Sequence, residues 1–540
     1  MTELLFDYIV IGGGSGACAA ASRLSENPEQ SVLVLEAGGN GQDWAIKTPA
    51  GTIAMLPTKY NNWAFKTVPQ HGLHGRRGYQ PRGKALGGSS AINAMVYIRG
   101  NSSDYDHWQE LGNDGWSYAD LLPYFKRAEN NADFKNEFHG NDGPLHVGKL
   151  RSDNPFQQIF LDAARQTGFP INDDFNGKTQ EGVGIYQVTQ FNGERWSAAR
   201  AYLEPHRFKR ANLHIMTGAF VTRILFETSD GQPRATGVKF NHNGIEKTAR
   251  ARGEIILAAG SLQSPQILQL SGIGDRAELA GFGIPVVQHL PGVGKNCQDH
   301  PDMVLNYKSN SLDLMGFSLP GTVRIARELC RYINGRRGIL TTNYAEGGAF
   351  LKTTPGLHAP DVQFHFVIGI VDDHARKMHW GHGYSCHVCV LRPKSRGSVR
   401  LASANPQDHP LIDPNFFDDP DDLETMLRGL KLMRKLMDAP ALKSRRTTSM
   451  TDANVNTDDE MRELIRQRAD TVYHPVGTCK MGLDTLSVVD SQLRVIGVKG
   501  LRIADASVMP TLISGNTNAI TMVIGERAAE FIKASRVEGK

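Results

Sequence analysis

The sequence predicts an α/β protein in which a parallel-sheet, dinucleotide-binding domain is interleaved with an α+β domain built on an antiparallel sheet. Three observations carry this prediction. Residues 7–36 hold a strand, a glycine turn, an alanine-rich helix and a second strand in register. Alternating strand patterns gather in mid-chain, between residues 346 and 401. The end of the chain, from Leu501, returns to the buried strand and helix of its beginning.

The opening run defines the first domain. Tyr8 to Ile11 is a β-branched run of the kind buried in a parallel sheet, and Val32 to Leu35 is a second. Between them Gly12, Gly14 and Ala17 fill a G-x-G-x-x-G/A pattern. In a Rossmann-like unit Gly12 makes the tight turn and Gly14 lets the backbone approach a pyrophosphate. Ala17 packs helix on strand, and the helix N-terminus faces the phosphate charge. Glu36, closing the second strand, can accept both hydroxyls of an adenosine ribose and argues against a 2′-phosphate. The choice between FAD and NAD stays open at this point.

The chain is long enough, at 540 residues, for two to four domains. With 60 basic against 56 acidic side chains, its net charge of +4 leaves no nucleic-acid footprint. No run of 18 apolar residues suggests a transmembrane helix, and the early first strand leaves no room for a signal peptide. Six scattered cysteines do not form a disulfide framework. These features point to a cytoplasmic protein, with peripheral contact on the inner face of a membrane left open.

After a loop to Tyr60, Asn62 to Thr67 reads as a strand. Pro81 to Asn93, with Arg82, Lys84, Gly87 and Gly88, reads as a second anion-binding nest. Asp104 to Asn130 and Ser152 to Thr167 carry helical periodicity. Val183 to Phe191 alternates as a strand, and Ser197 to Pro205 begins a helix. Leu213 to Met216, Ala219 to Glu227 and Ala235 to Asn241 read as a small sheet, closed by the strand Glu254 to Gly260. Leu312 to Val323 is an apolar loop followed by Arg324, Arg327, Arg331, Arg336 and Arg337. The mid-chain strands are Glu346 to Leu351, Val362 to Val367, Ser385 to Leu391 and Ser398 to Leu401, followed by helices over Asp421 to Met437 and Asp458 to Ala469. The expected division is a first domain over 1–155, 212–310 and 470–540, and a second over 156–211 and 311–469.

Four blocks, Gly12 to Glu36, Gly83 to Asn93, Gly260 to Gly274, and Tyr473 to Met481 with Leu501 to Asn518, resemble the glucose-methanol-choline (GMC) oxidoreductases. Within that family the chain is similar to the bacterial alcohol and choline dehydrogenase branch. The resemblance implies an FAD enzyme that takes hydride from an alcohol. His474, between an aromatic strand end and Pro475, is then the expected base, and Asn516 the residue that supports the developing alkoxide. Asn518 would reach the flavin pyrimidine edge, and Asp505 a ribityl or phosphate-side contact. Asn93, Gly87 and Gly88 would line the flavin and pyrophosphate, and Val221 would meet the adenine. Ser15, Arg82 and Val96 complete the expected cofactor set.

Some relatives bear a flavin-linked histidine where this chain has Ile92, so noncovalent FAD is expected. Glu346, heading a strand of the second domain, is a candidate substrate contact, with a hydrogen-bonded structural acid as the favoured alternative. Cys386 and Cys389 would point to opposite strand faces, and no metal site is expected. The expected reaction is oxidation of a primary aliphatic or aromatic alcohol to the aldehyde, with a quinone or similar acceptor. The alternatives are choline dehydrogenase, an oxygen-using alcohol oxidase, or a flavin-binding redox sensor.

Overall fold

A computed structural model describes residues 4–538, and side chains to 535. The strand Leu4–Ile11 lies at the centre of a seven-stranded sheet. It pairs in parallel with Val32–Glu36 on one side and with Ile245–Leu257 on the other. All five residues of Val32–Glu36 are buried, as their unbroken apolar run up to the terminal acid requires. Leu501–Ile503 joins the same sheet beside Ile245–Leu257.

The small sheet expected over 213–260 forms in part, as a continuation of the parallel sheet. Leu213–Thr217 instead extends the parallel sheet beside Val32–Glu36. Ala219–Ser229, Gln232–His242 and Ile245–Leu257 form an antiparallel meander whose last strand runs on into the centre of the molecule. Residues 245–252 alternate charged and small side chains, as suits an exposed ribbon, whereas 255–257 are Ile-Ile-Leu and fully buried. One strand therefore serves both arrangements.

A second sheet of eight strands is antiparallel throughout, with Pro301–Ser309, Gly381–Val390, Val362–Val367, Ala345–Leu351 and Gly182–Ile185 side by side. Segment 301–310, expected in the first domain, thus lies in the second sheet. Conversely, Ala198 to Leu203, expected in the second domain, pack into the first core against the helix Ser15–Leu24. Ser398–Arg400 also leaves the large sheet and pairs with Leu411–Asp413 as a separate ribbon. Helix Pro420–Met437, capped by Asp419, covers one face of the large sheet with Leu423, Met426, Leu427, Leu430, Met433 and Met437. The other face looks toward the first domain. Cys386 and Cys389 fall in different apolar clusters, the first in the helix-covered core.

Two further expectations change. The strand foreseen over 62–67 shrinks to Phe65–Lys66, because the Asn62 amide turns inward to the carbonyls of Met55, Leu56 and Thr58 and Ala64 is left-handed (φ 53°). The apolar loop ends at Ser318, which caps a helix, Leu319–Gly335, that carries the arginines up to Arg331. That helix is inverted. It turns Gly321, Glu328 and Tyr332 inward, while Leu319, Val323 and Ile333 are 79%, 74% and 65% exposed.

Candidate active site

A cavity of about 790 Å³ runs between the two sheets, from the glycine turn after Leu4–Ile11 to His474 and Asn516. At the first end Gly12 is left-handed (φ 96°), and a Cβ there would sit 2.5 Å from the Ala258 carbonyl oxygen. The second nest lies directly behind the first. Gly87 N–H donates to the Gly13 carbonyl at 2.7 Å, and a Cβ on Gly88 would fall 2.7 Å from Gly14 Cα. Glu36 ties these turns down by accepting from Gly13 N at 2.8 Å and Gly38 N at 2.7 Å. Burial pushes its carboxyl up to about 7, while the two amides favour the ionised form.

Two helices begin on the cavity wall, Ser15–Leu24 and Asn518–Glu538. Ser15 Oγ donates to Asn518 Oδ1 at 2.7 Å. Their close packing needs Gly525, where a Cβ would lie 2.1 Å from the Gly16 carbonyl oxygen. Two positive helix ends thus converge on one spot, as suits a pyrophosphate.

Gly12, Gly14, Ser15, Glu36, Arg82, Gly88, Asn93, Val96, Val221, Asp505 and Asn518 all line the cavity, as do His474 and Asn516. Gly87 lies just behind the wall. Some of these side chains also hold the wall itself. Asp505 accepts from Gly260 N, Ser264 Oγ and Ser507 N. Arg82 donates to the Tyr473 carbonyl at 2.6 Å, next to His474. Asn93 is clamped by buried Arg195, which also donates to oxygens of Ile46, Thr52 and Ser90.

Glu346 is placed as a hydrogen-bonded structural acid. It lies off the cavity, fully buried, accepting from Thr342 Oγ1 at 2.6 Å and Gln157 Nε2 at 2.8 Å. The strand pleat turns it away from the cavity that its neighbour Ala345 lines.

At the other end the backbone is strained to present His474. Tyr473, a non-glycine residue, sits at φ 76°, held by Arg82 and by Thr471 Oγ1 on its N–H. Asp299 accepts the His474 N–H at 2.8 Å. The ring itself meets His300 Nδ1 through Nδ1 at 3.0 Å and Asn516 Nδ2 through Nε2 at 3.2 Å. His300 Nε2 faces two backbone carbonyls, of Leu391 and Ile513, each at 3.1 Å. Carbonyls only accept, so His300 carries its proton on Nε2 and offers a lone pair at Nδ1. Burial holds His300 down to about 4, which keeps it neutral. His474 must then donate from Nδ1, leaving the Nε2 lone pair toward Asn516 and the cavity. Burial first, then His300, His365 and Arg82, keep this imidazole well below its ordinary value.

The sequence reading missed His300, Arg195 and the residues of Val362–Val367 that face the cavity. His365, on that strand, lines the cavity beside Asn516, with neither ring nitrogen in full hydrogen-bond geometry with a partner among the described residues. It lies in register with His387, whose Nδ1 meets Asp302 at 2.7 Å. The adjacency of Asp299 and His300 to Pro301 was the available signal. For His365 there was none, since every residue of its strand is buried.

Family models described as GMC oxidoreductase match residues 6–302 and 393–525. The chain belongs to the GMC oxidoreductase family. Among relatives, an alcohol dehydrogenase [acceptor] of Pseudomonas putida is 46% identical over 98% of this chain and 96% of its own length. The mitochondrial choline dehydrogenase of Mus musculus is 41% identical over 98% of this chain and 89% of its own. A formate oxidase of Aspergillus oryzae, studied for its FAD modification, superposes with a TM-score of 0.91 at 26% identity, covering both chains fully.

The cofactor of this GMC oxidoreductase is FAD, and the residues fit it. The tight glycine turns, the two helix ends and Glu36 suit the adenosine diphosphate part. The cavity continues unbroken to Asn93, Ile92 and His474, where an isoalloxazine would lie.

Proposed function

We propose that the protein oxidises an uncharged primary alcohol to the aldehyde and passes the electrons to a quinone-like acceptor. One observation carries this reading: the lone pair of His474 Nε2 and the amide donor of Asn516 converge on the cavity wall. FAD supplies the hydride acceptor. His474 Nε2 takes the hydroxyl proton, and Asn516 Nδ2 donates to the oxygen as it gains negative charge. Val96, Tyr344 and Val367 help exclude water from the same space.

The wall also bears on the alcohol's class. Among the described lining residues the carboxylates are Glu36 and Asp505, both spent on backbone amides. Asp302 does not line the cavity; one of its oxygens holds the His387 ring and the other is buried without a partner among the described residues. Met315, Phe317, Ile325, Val371 and Met378 make most of the mouth apolar, with Lys377 and His379 as its polar members. An alkanol or aryl alcohol suits this better than choline, whose cation would want a free acid or an aromatic cage. The relative named as alcohol dehydrogenase [acceptor] supports the same choice. The test is an anaerobic screen of alkanols, aryl alcohols and choline for flavin bleaching, then reoxidation by oxygen or a quinone. Bleaching by choline alone, or rapid reoxidation by oxygen alone, would overturn the reading.

An apolar substrate and acceptor would partition into bilayers, and the inverted helix Leu319–Gly335 offers a surface for one. Its Ile325, with Phe317 and Met378, lines the cavity mouth. Leu319, Val323, Leu329 and Ile333 face outward, with Arg327 and Arg337 nearby and Trp380 also exposed. The preceding loop is a poorer candidate, because Leu314 is buried and Met315 lines the cavity. Among the described residues no helix is long and apolar enough to cross a membrane, so this contact would be interfacial. Flotation with anionic liposomes at low salt should carry the protein upward, and Val323→Glu with Ile333→Glu should abolish it. Wild-type protein left at the bottom of the gradient would dismiss the contact.

A further inference from the structure

Asn516 can serve as a donor only if its amide is the right way round, and an amide flips at little cost unless its neighbours forbid it. The Oδ1 of Asn516 accepts from Gln363 Nε2 at 3.1 Å. Gln363 is fully buried, and its own orientation is set from a third group. Its Nε2 also lies 3.1 Å from Tyr186 Oη, whose hydroxyl donates to the Phe364 carbonyl at 2.6 Å. With that proton committed, the phenol oxygen is left to accept, so Gln363 must present its NH₂. Gln363 Oε1 meets no donor among the described residues. The orientation therefore comes from the Asn516 and Tyr186 side alone.

The two ends of the network agree. Starting from the carbonyls of Leu391 and Ile513, protons are assigned through His300 and His474 to Asn516 Nδ2. Starting from the carbonyl of Phe364, they are assigned through Tyr186 and Gln363 to Asn516 Oδ1. Both place the Asn516 donor toward His474 Nε2 and the cavity. Reversing the amide would set Oδ1 against the Nε2 lone pair and break the match at both ends.

We propose that Gln363 is a positioning residue, which locks the Asn516 amide with its donor toward the reacting oxygen and the base. The proposal rests on the reading of His474 as the base. Gln363 touches neither the cavity wall nor the reacting atoms, and acts only through Asn516.

The test uses stopped-flow flavin reduction of the holoenzyme by an alcohol across pH 4 to 9. Q363M keeps the volume but removes the lock, and should slow reduction roughly three- to tenfold, without moving the pH midpoint. Q363E is the closer isostere but, once ionised, can only accept. It should hold the amide reversed and lose roughly 10–100-fold at high pH, approaching the loss of an oxyanion donor. Its pH midpoint should rise, because a reversed Oδ1 stabilises protonated His474. In an Asn516→Ala background neither substitution should add a further loss. Q363E behaving as wild type, or either penalty persisting undiminished in Asn516→Ala, overturns the proposal. Fast reduction by His474→Ala is a separate result, which removes the base reading and this proposal with it.

Discussion

A histidine works as a base at neutral pH when its surroundings disfavour the charged form, and His474 is buried among neutral imidazoles with Arg82 near. Its protonated form is the inactive one. Flavin reduction by alcohol should therefore rise with pH through a midpoint below about 6.5, the ordinary histidine value, and be flat above neutrality. His474→Ala should lose roughly 10²–10⁴ in reduction rate while keeping flavin. Asn516→Ala should lose roughly 10–10³ but keep the pH dependence. A midpoint near 8, or an Asn516→Ala enzyme that alone loses the pH dependence, would mean that His474 is not the base. At this scale the cofactor-end residues were legible, because a glycine turn and a terminal acid leave a local pattern. His300, Gln363 and His365 were not. They come from segments buried on every side, where a cavity-facing polar residue has the same surroundings in sequence as a core one.

Among elements, the paired glycine turns make the sharpest demand. Gly88 combines a left-handed φ of 54° with a Cβ position only 2.7 Å from Gly14 Cα. Gly88→Ala should cost about 1–3 kcal/mol of stability through strain alone. The two turns would also be forced apart, and purified protein should lose most of its flavin. Gly75→Ala, with φ 76° and nothing within 4 Å of the new Cβ, should show the strain cost with flavin retained. Equal flavin content in both variants would remove the packing argument. The buried strands and the acid-started helices were readable from periodicity, since their apolar faces point inward. The start of helix Leu319–Gly335 falls within the loop expected over Leu312 to Val323 for the opposite reason: its apolar residues face outward and its inward face holds Glu328 and Tyr332. Only the end of strand Ile245–Leu257 was legible, because its first half has an exposed ribbon's composition and its second half a buried core's.

For the molecule as a whole, the cavity between the two sheets would hold FAD by its shape and by the two helix ends. Ile92, at the cavity wall, offers no nucleophile to the ring. Acid or heat precipitation should release all the yellow colour into the supernatant, and colour kept by the pellet would refute noncovalent binding. Interleaving was legible from the return of the first style after Leu501, but its exchange points were not. They depend on long-range pairing, such as Pro301–Ser309 with Gly381–Val390. One consequence concerns recombination. His300 and His474 sit on the two segments that cross between the sheets, joined where Pro301 pairs with Thr471. A chimera that imports another relative's antiparallel sheet, with cuts anywhere inside 299–301 or 470–474, would separate the base from the ring that assigns its proton. Such a hybrid would fold, bind flavin and turn over poorly. Crossovers placed outside both segments, carrying them as one unit, should preserve the chemistry while exchanging the mouth that selects the alcohol.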